Sequence, residues 1–289
     1  MNDEQNSKNI SQKIGFIGGG NMAKAICEGI VTNGLVTFDQ IYVSGPRLKN
    51  LGWWIEQGCN TYQENEKVVS KADIIFICVK PHILETVTSE LKSTFSRNKE
   101  VLPSKLYVSV LAGISLETLN KELESLHGRI IRIMPNTSMV VGEGCTLLSP
   151  SSSATDADKE LVCGIVSATG LCKEVPEDYI NHLGALTASG SAFIYMILEA
   201  LADGAVKMGI PRALATELAA QTILGAGKMA RDAGKHTAQL KDEICSPAGT
   251  TIQGVHALEK HGIRAAFIEA VEATAKRAVE IEIANKKFN

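Results

Sequence analysis

Two segments of this chain, far apart in the sequence, combine residue types that bind anions. The first is Lys13-Ile14-Gly15-Phe16-Ile17-Gly18-Gly19-Gly20-Asn21-Met22-Ala23. It sets G-x-G-x-x-A between a strand-like run and a helical one, and that context makes the pattern informative. Gly18 permits the sharp turn, Gly20 lets the main chain approach a pyrophosphate, and Ala23 lets helix and strand pack closely. Free N–H groups at the start of the helix, around Asn21 and Met22, attract anions. A dinucleotide is the expected ligand, and the alternative is a glycine-rich turn with none. The second segment is Ser246-Pro247-Ala248-Gly249-Thr250-Thr251. A loop of Gly, Ser and Thr opening a helix offers hydroxyls and N–H groups to an anion without arginine. The residues alone fit a simple helix cap equally well.

The choice of dinucleotide is read after the second strand. An NAD-selective site places Asp or Glu there, whereas here Val43 is followed by Ser44, Gly45, Pro46 and Arg47. No carboxylate opposes a 2′-phosphate; Ser44 and Gly45 supply hydrogen bonds and Arg47 a charge-assisted one. NADPH is therefore expected, with NADH as the second candidate and Arg47 on a solvated helix as the bland alternative. Further cofactor candidates fall where strand ends converge: Val79, Lys80 and Pro81, then Ala112 and Gly113, then Asn136. Lys80 brings a cation, Pro81 fixes the chain as it leaves the strand, Gly113 permits close approach, and Asn136 offers donor and acceptor. Asn65 completes the set, and His82 reads as structural.

These residues need a scaffold, and the hydrophobic pattern supplies one. Short apolar runs at Ile14–Ile17, Ile41–Val43, Ile74–Val79, Leu106–Leu111 and Ile130–Met134 suit strands buried on both faces of a parallel sheet. Amphipathic stretches between them cover it, so the first half reads as a doubly wound α/β Rossmann-type domain. Beyond Pro176 the texture becomes Ala-rich and helical over Phe193–Met208, Arg212–Ala233 and Ile263–Lys286. Gly184, Gly190, Gly204, Gly225 and Gly227 sit among these helical residues, each at a cost of up to about 1 kcal/mol unless close packing compensates. Contact between helices, including helices of two subunits, is the natural compensation. The expected division is a disordered tail over 1–12, a dinucleotide-binding domain over 13–175, and an all-α substrate-binding and dimerisation domain over 176–289.

The composition of the 289 residues excludes other classes. A net charge of −3 with 21% charged and 45% hydrophobic residues gives no basic excess for nucleic acid. The seven cysteines, odd in number and scattered, read as reduced thiols, and no metal is expected. Met1 to Gln12 matches neither a secretory signal nor a transit peptide. Uninterrupted apolar runs fall short of the roughly 20 residues of a membrane span, so no membrane association is expected, and a cytoplasmic protein is.

The stretch Gln239-Leu240-Lys241-Asp242-Glu243-Ile244-Cys245-Ser246-Pro247-Ala248-Gly249-Thr250-Thr251-Ile252-Gln253-Gly254-Val255 resembles the signature of the pyrroline-5-carboxylate reductases. Glu199 to Arg212 and Val79-Lys80-Pro81-His82 resemble further segments of that family. The likeness runs from about Lys13 to Lys286. It implies reduction of 1-pyrroline-5-carboxylate to L-proline by NAD(P)H, and a homodimer through the helical domain, assembled into a larger homo-oligomer. It also implies that Ser246, Gly249, Thr250 and Thr251 hold the substrate carboxylate; from its place in the motif, the Thr250 hydroxyl is expected as the catalytic donor to the ring nitrogen. Two departures stand out. Thr187-Ala188-Ser189-Gly190-Ser191-Ala192-Phe193 replaces a Ser-Gly-Ser-Gly-Pro-Ala-Tyr stretch, and Ala248 stands where the family often has glycine. The alternatives are a β-hydroxyacid dehydrogenase using Lys207 and a non-catalytic NADP-binding sensor.

Overall fold

The computed structural model describes residues 10–98 and 103–287. Strands β1 (Ile14–Ile17), β2 (Ile41–Ser44), β3 (Asn60–Tyr62), β4 (Ile74–Ile77), β5 (Lys105–Ser109), β6 (Gly128–Met134), β7 (Gly144–Pro150) and β8 (Gly170–Glu174) form one sheet. Its order is β3-β2-β1-β4-β5-β6-β7-β8. All neighbours run parallel except β6 and β7. Helices α1 (Asn21–Thr32), α2 (Gly52–Glu56), α3 (Asn65–Lys71), α4 (Leu84–Asn98), α5 (Leu116–Leu123) and α6 (Asp156–Ser167) connect the strands. The order 3-2-1-4-5-6 is that of a doubly wound dinucleotide-binding sheet, whose connections diverge between β1 and β4.

The unbroken apolar runs follow from burial on both faces. Along β4, Ile74 and Phe76 join one core with Ile14 and Phe16 of β1, while Ile75 and Ile77 join the other with Ile17. Phe16 stacks on Phe76 at 5.2 Å between ring centroids and meets Trp54 at 5.4 Å. Gly15 has no side chain because α3 packs there: a Cβ would lie 2.6 Å from Val68 Cγ1. Of the expected tail, residues 1–9 lie outside the described residues. Ile10 is held by hydrogen bonds to Leu35 and Gln40.

The remaining helices are α7 (Glu177–Thr187), α8 (Gly190–Lys207), α9 (Arg212–Asp232), α10 (Thr237–Ile244), α11 (Thr250–Lys260) and α12 (Ile263–Lys287). The chain forms two compact units: residues up to Ala188 with those from Ala275 onward, and Ser189–Thr274. The change of texture at Pro176 coincides with the start of α7, but the break in packing comes after that helix. Ile180, Asn181, Gly184 and Ala185 are buried, and α7 lies against β7. The last part of α12 belongs to the first unit because Arg132, buried in β6, donates to Glu282 at 3.2 Å and to Glu177 at 2.8 Å. Asn181 completes this cluster, donating to Glu282 at 2.8 Å and accepting from Arg132 at 3.3 Å.

The second unit is helix on helix with a thin core of Ala202, Ala215 and Ala219. Asp203 and Arg212 pair at 2.5 Å where α8 passes to α9. Large apolar side chains stay outside, among them Tyr195, Met196 at 71% exposure and Met208 at 80%. Within Glu177–Lys207 one 18-residue window is long and apolar enough to cross a membrane by length and composition alone. Uninterrupted apolar runs do not reveal it, because Thr187, Ser189, Ser191, Glu199 and Asp203 break the segment into short pieces.

Candidate functional site

In the first unit the strand ends of β1, β2 and β4 are pinned together around Gly18. Gly18 N–H donates to Ser44 O at 3.0 Å, and Cys78 N–H donates to Ile17 O at 2.8 Å. Gly18 has φ +97°, and a Cβ there would lie 2.8 Å from the Cys78 carbonyl oxygen and 3.2 Å from Val79 Cγ1. The chain itself therefore requires this glycine. Gly19 is fixed by the indole N–H of Trp54, which donates to its carbonyl at 3.1 Å. Gly20 differs, since a Cβ there would meet no atom within 4 Å. It is the N-cap of α1, where no side chain caps the helix and the first turn carries no acidic residue. Asn21 and Met22 begin that turn, and Ala23 is fully buried. An uncapped twelve-residue helix at the carboxyl end of a central parallel strand presents N–H groups and a positive dipole end to an anion.

Around this turn the other candidates divide. Lys80 is exposed and leads into the 81–83 turn, with Pro81 at its first position. Ala112 is exposed just beyond β5. Arg47 is exposed and has no carboxylate partner among the described residues. Gly45 is buried, with its N–H donating to Tyr62 O at 3.1 Å. Ser44 and Asn65 come together, but with each other: the Ser44 hydroxyl is buried and donates to Asn65 Oδ1 at 2.7 Å. The Asn65 amide then donates to Glu90 at 3.3 Å.

Gly113 and Asn136 are taken up by the protein. Gly113 has φ +72°, yet its close neighbours are Ile281 and Asn285 of α12, and Asn285 Nδ2 donates to its carbonyl at 2.9 Å. Asn136 donates to Thr187 O at 2.9 Å and accepts from Cys145 N–H at 3.0 Å, which uses both ends of its amide. Sequence reasoning also missed the Arg132 cluster. Its one local signal was an arginine inside the apolar run Ile130–Met134. All seven cysteines are free, and burial pushes the Cys145 and Cys172 thiols up, away from the thiolate form.

In the second unit, Ser246–Gly249 form a tight turn closed by Gly249 N–H donating to Ser246 O at 3.0 Å. A Cβ on Gly249 would collide with Ser246 Oγ, so the serine hydroxyl overhangs the start of α11. Gly249 is the N-cap and supplies no side chain, there is no acid in the first turn, and Thr250 and Thr251 are exposed. Hydroxyls and free N–H groups thus share one helix end, a chemistry suited to an anion. Lys207 is exposed in the last turn of α8.

This sheet order, with an open glycine turn on an uncapped helix and a following all-helical unit, defines a dinucleotide-binding protein of the two-unit reductase class. Residues 177–281 match the family model described as pyrroline-5-carboxylate reductase dimerisation, and residues 13–113 that described as NADP oxidoreductase, coenzyme F420-dependent. Pyrroline-5-carboxylate reductase 3 of Danio rerio is 46% identical over 275 residues, 95% of this chain and 93% of that one. The pyrroline-5-carboxylate reductase structure from Coxiella burnetii is 36% identical with a TM-score of 0.84, over 94% of this chain and 99% of that one. The Plasmodium falciparum pyrroline carboxylate reductase structure, with NADP bound, is 30% identical with a TM-score of 0.82, over 94% and 98%. The chain belongs to the pyrroline-5-carboxylate reductase family.

Proposed function

We propose that the chain reduces 1-pyrroline-5-carboxylate to L-proline with NADPH, the last step of proline formation. The observation that carries this reading is the uncapped, hydroxyl-bearing turn Ser246–Thr251, in a chain of this family whose other unit presents an open glycine turn. The N–H groups at the start of α1 beside Gly20 would hold the dinucleotide's pyrophosphate, and the exposed cations Lys80 and Arg47 would meet its phosphate charge. The substrate carboxylate is held by Ser246 and the N–H groups of Gly249–Thr251. Bound at this turn, NADPH would supply the hydride for the imine carbon, leaving NADP⁺ and, once the nitrogen has taken a proton, the secondary amine. The hydride must start about 3 to 3.5 Å from the imine carbon, so the protein's main task is positioning. The Thr250 hydroxyl donates a hydrogen bond to the ring nitrogen, and the basic amine product takes its proton from solvent through it.

The exposed apolar faces of the second unit support a homodimer. Gly190, Gly204, Gly225 and Gly227 have open space where a Cβ would stand, so no neighbour in their own chain explains them, and a second copy does. The same partner covers the apolar window within Glu177–Lys207 in place of lipid. A larger homo-oligomer built from such dimers, working in the cytoplasm, completes the reading, and seven free thiols support the reducing setting.

The test is steady-state oxidation of NADPH by the purified chain with 1-pyrroline-5-carboxylate. Stoichiometric L-proline, a lower kcat/KM with NADH, and no turnover of β-hydroxyacids are expected. Turnover of hydroxyacids without cyclic imines overturns the reading, as does binding of NADPH with no turnover at all.

A further inference from the structure

Trp54 lies in α2 with no exposure to solvent, and its ring meets Phe16 of β1 at 5.4 Å between centroids and Trp53 edge-on at 5.0 Å. An indole has one polar group, a donor, and in the core that N–H needs an acceptor. It finds the carbonyl of Gly19 at 3.1 Å, 35 positions earlier and in the middle of the glycine turn. A Cβ on Gly19 would lie 2.7 Å from the indole nitrogen and 2.6 Å from Leu51 Cδ2, so these two side chains leave no room for one there. A trans peptide is planar, with its C=O and the following N–H pointing opposite ways. A Gly19 carbonyl drawn into the core therefore turns the Gly20 N–H out of it. Gly20 is exposed, a Cβ there would meet no atom within 4 Å, and its N–H has no acceptor among the described residues. A glycine–glycine link imposes little direction of its own, since neither residue has a Cβ to restrict it. The direction comes from Trp54.

We propose that Trp54 is a positioning residue for the cofactor: by holding the Gly19 carbonyl inward it keeps a negative dipole end away from the pyrophosphate and presents the Gly20 N–H to it. This rests on the reading that the pyrophosphate binds at this turn. The N–H groups of Asn21 and Met22 are aimed by the helix they open. The Gly19–Gly20 peptide before them is not bonded into that helix, and the indole does for it what helix geometry does for the rest. Trp54 sets nucleotide affinity from within the core.

The experiment replaces only the donor. The chain has two tryptophans, so in a Trp53→Phe background Trp54 is the sole site for the tryptophan analogue 3-benzothienylalanine, whose sulfur stands in place of the indole N–H. Binding of NADP⁺ is compared by calorimetry with binding of adenosine 2′-monophosphate, which lacks the pyrophosphate, and thermal melts confirm folding. The analogue is expected to weaken NADP⁺ about tenfold or more, the loss of a hydrogen bond to a charged group, and to leave adenosine 2′-monophosphate unaltered. Trp54→Phe in the otherwise unchanged chain is expected to raise KM for NADPH by a similar factor, with KM for 1-pyrroline-5-carboxylate unchanged. Unaltered NADP⁺ affinity in the analogue protein, alongside weakened NADP⁺ in Gly20→Ser, overturns this inference alone. So does an equal weakening of both ligands, which marks a merely structural role. Should Gly20→Ser bind NADP⁺ as the parent does, the pyrophosphate is not at this turn and the inference falls with it. If the Trp53→Phe background does not fold, Trp54→Phe decides with the same two ligands.

Discussion

Gly18 and Gly20 belong to one motif but answer to different physics. Gly18 is demanded by the chain, through φ +97° and the Cys78 carbonyl against it, whereas Gly20 faces open space. Gly18→Ala should therefore destabilise the fold by about 1–2 kcal/mol. Gly20→Ser should leave the urea midpoint unchanged or raised, since serine is a good N-cap, yet increase KM for NADPH about tenfold or more by crowding the phosphate. Unchanged NADPH affinity in Gly20→Ser would remove the pyrophosphate from this turn. At the other helix end, Thr250→Ala should lower kcat/KM tens- to hundreds-fold with NADPH binding retained, the loss of about 2 to 3 kcal/mol from a donor aimed at the reacting centre. A near-normal rate would refute that role. The glycine turn could be read from residue type, order and context alone; the Ser246–Thr251 turn could not, because glycine, serine and threonine at a helix start serve as simple caps too, and its reading came from the family resemblance. Nor could the fates of Ser44 and Asn136. Their partners Asn65 and Thr187 are distant in sequence, and only the fold brings them within 2.7 and 2.9 Å.

Elements with a strong period were legible. The apolar runs of β1, β4 and β5 are strands buried on both faces, and the Ala-rich stretches are α8, α9 and α12 nearly to their ends. β3 was not visible, since Asn60–Tyr62 is polar and only half-buried at the sheet edge. The end of α12 was the larger surprise. Its residues Glu282 and Asn285 reach Arg132 and Gly113, which lie far earlier in the chain. No local pattern announces such pairing, nor that Gly113 lies against Ile281 and Asn285 of that helix. Arg132 is buried with Glu177, Asn181 and Glu282 around it, and its removal leaves acidic groups without their cation. Arg132→Ala should cost about 3–5 kcal/mol, measured by urea unfolding. A loss below about 1 kcal/mol would show that α12 is not latched through this cluster.

At the scale of the whole molecule, the second unit has too little core to stand alone. Three buried alanines join α8 and α9, while Tyr195, Met196 and Leu201 lie bare. Light scattering should give a mass of at least twice 30.9 kDa, and the double change Tyr195→Glu with Met196→Glu should shift it to the monomer. A monomeric parent protein would contradict the assignment of these faces. The two-unit plan was legible as a change of texture at Pro176. The thinness of the helical core was not, because a helix face that meets a second copy looks, in sequence, like one that meets its own chain.

Two placements are central to the proposed reaction, a carboxylate at the start of α11 and a nucleotide at the start of α1. A crystal structure with NADP⁺ and L-proline measures both at once. The predicted result is a pyrophosphate on the N–H groups after Gly20, and a proline carboxylate on Ser246 and the N–H groups of Gly249–Thr251. Proline bound away from that turn, or a nucleotide away from α1, would contradict it.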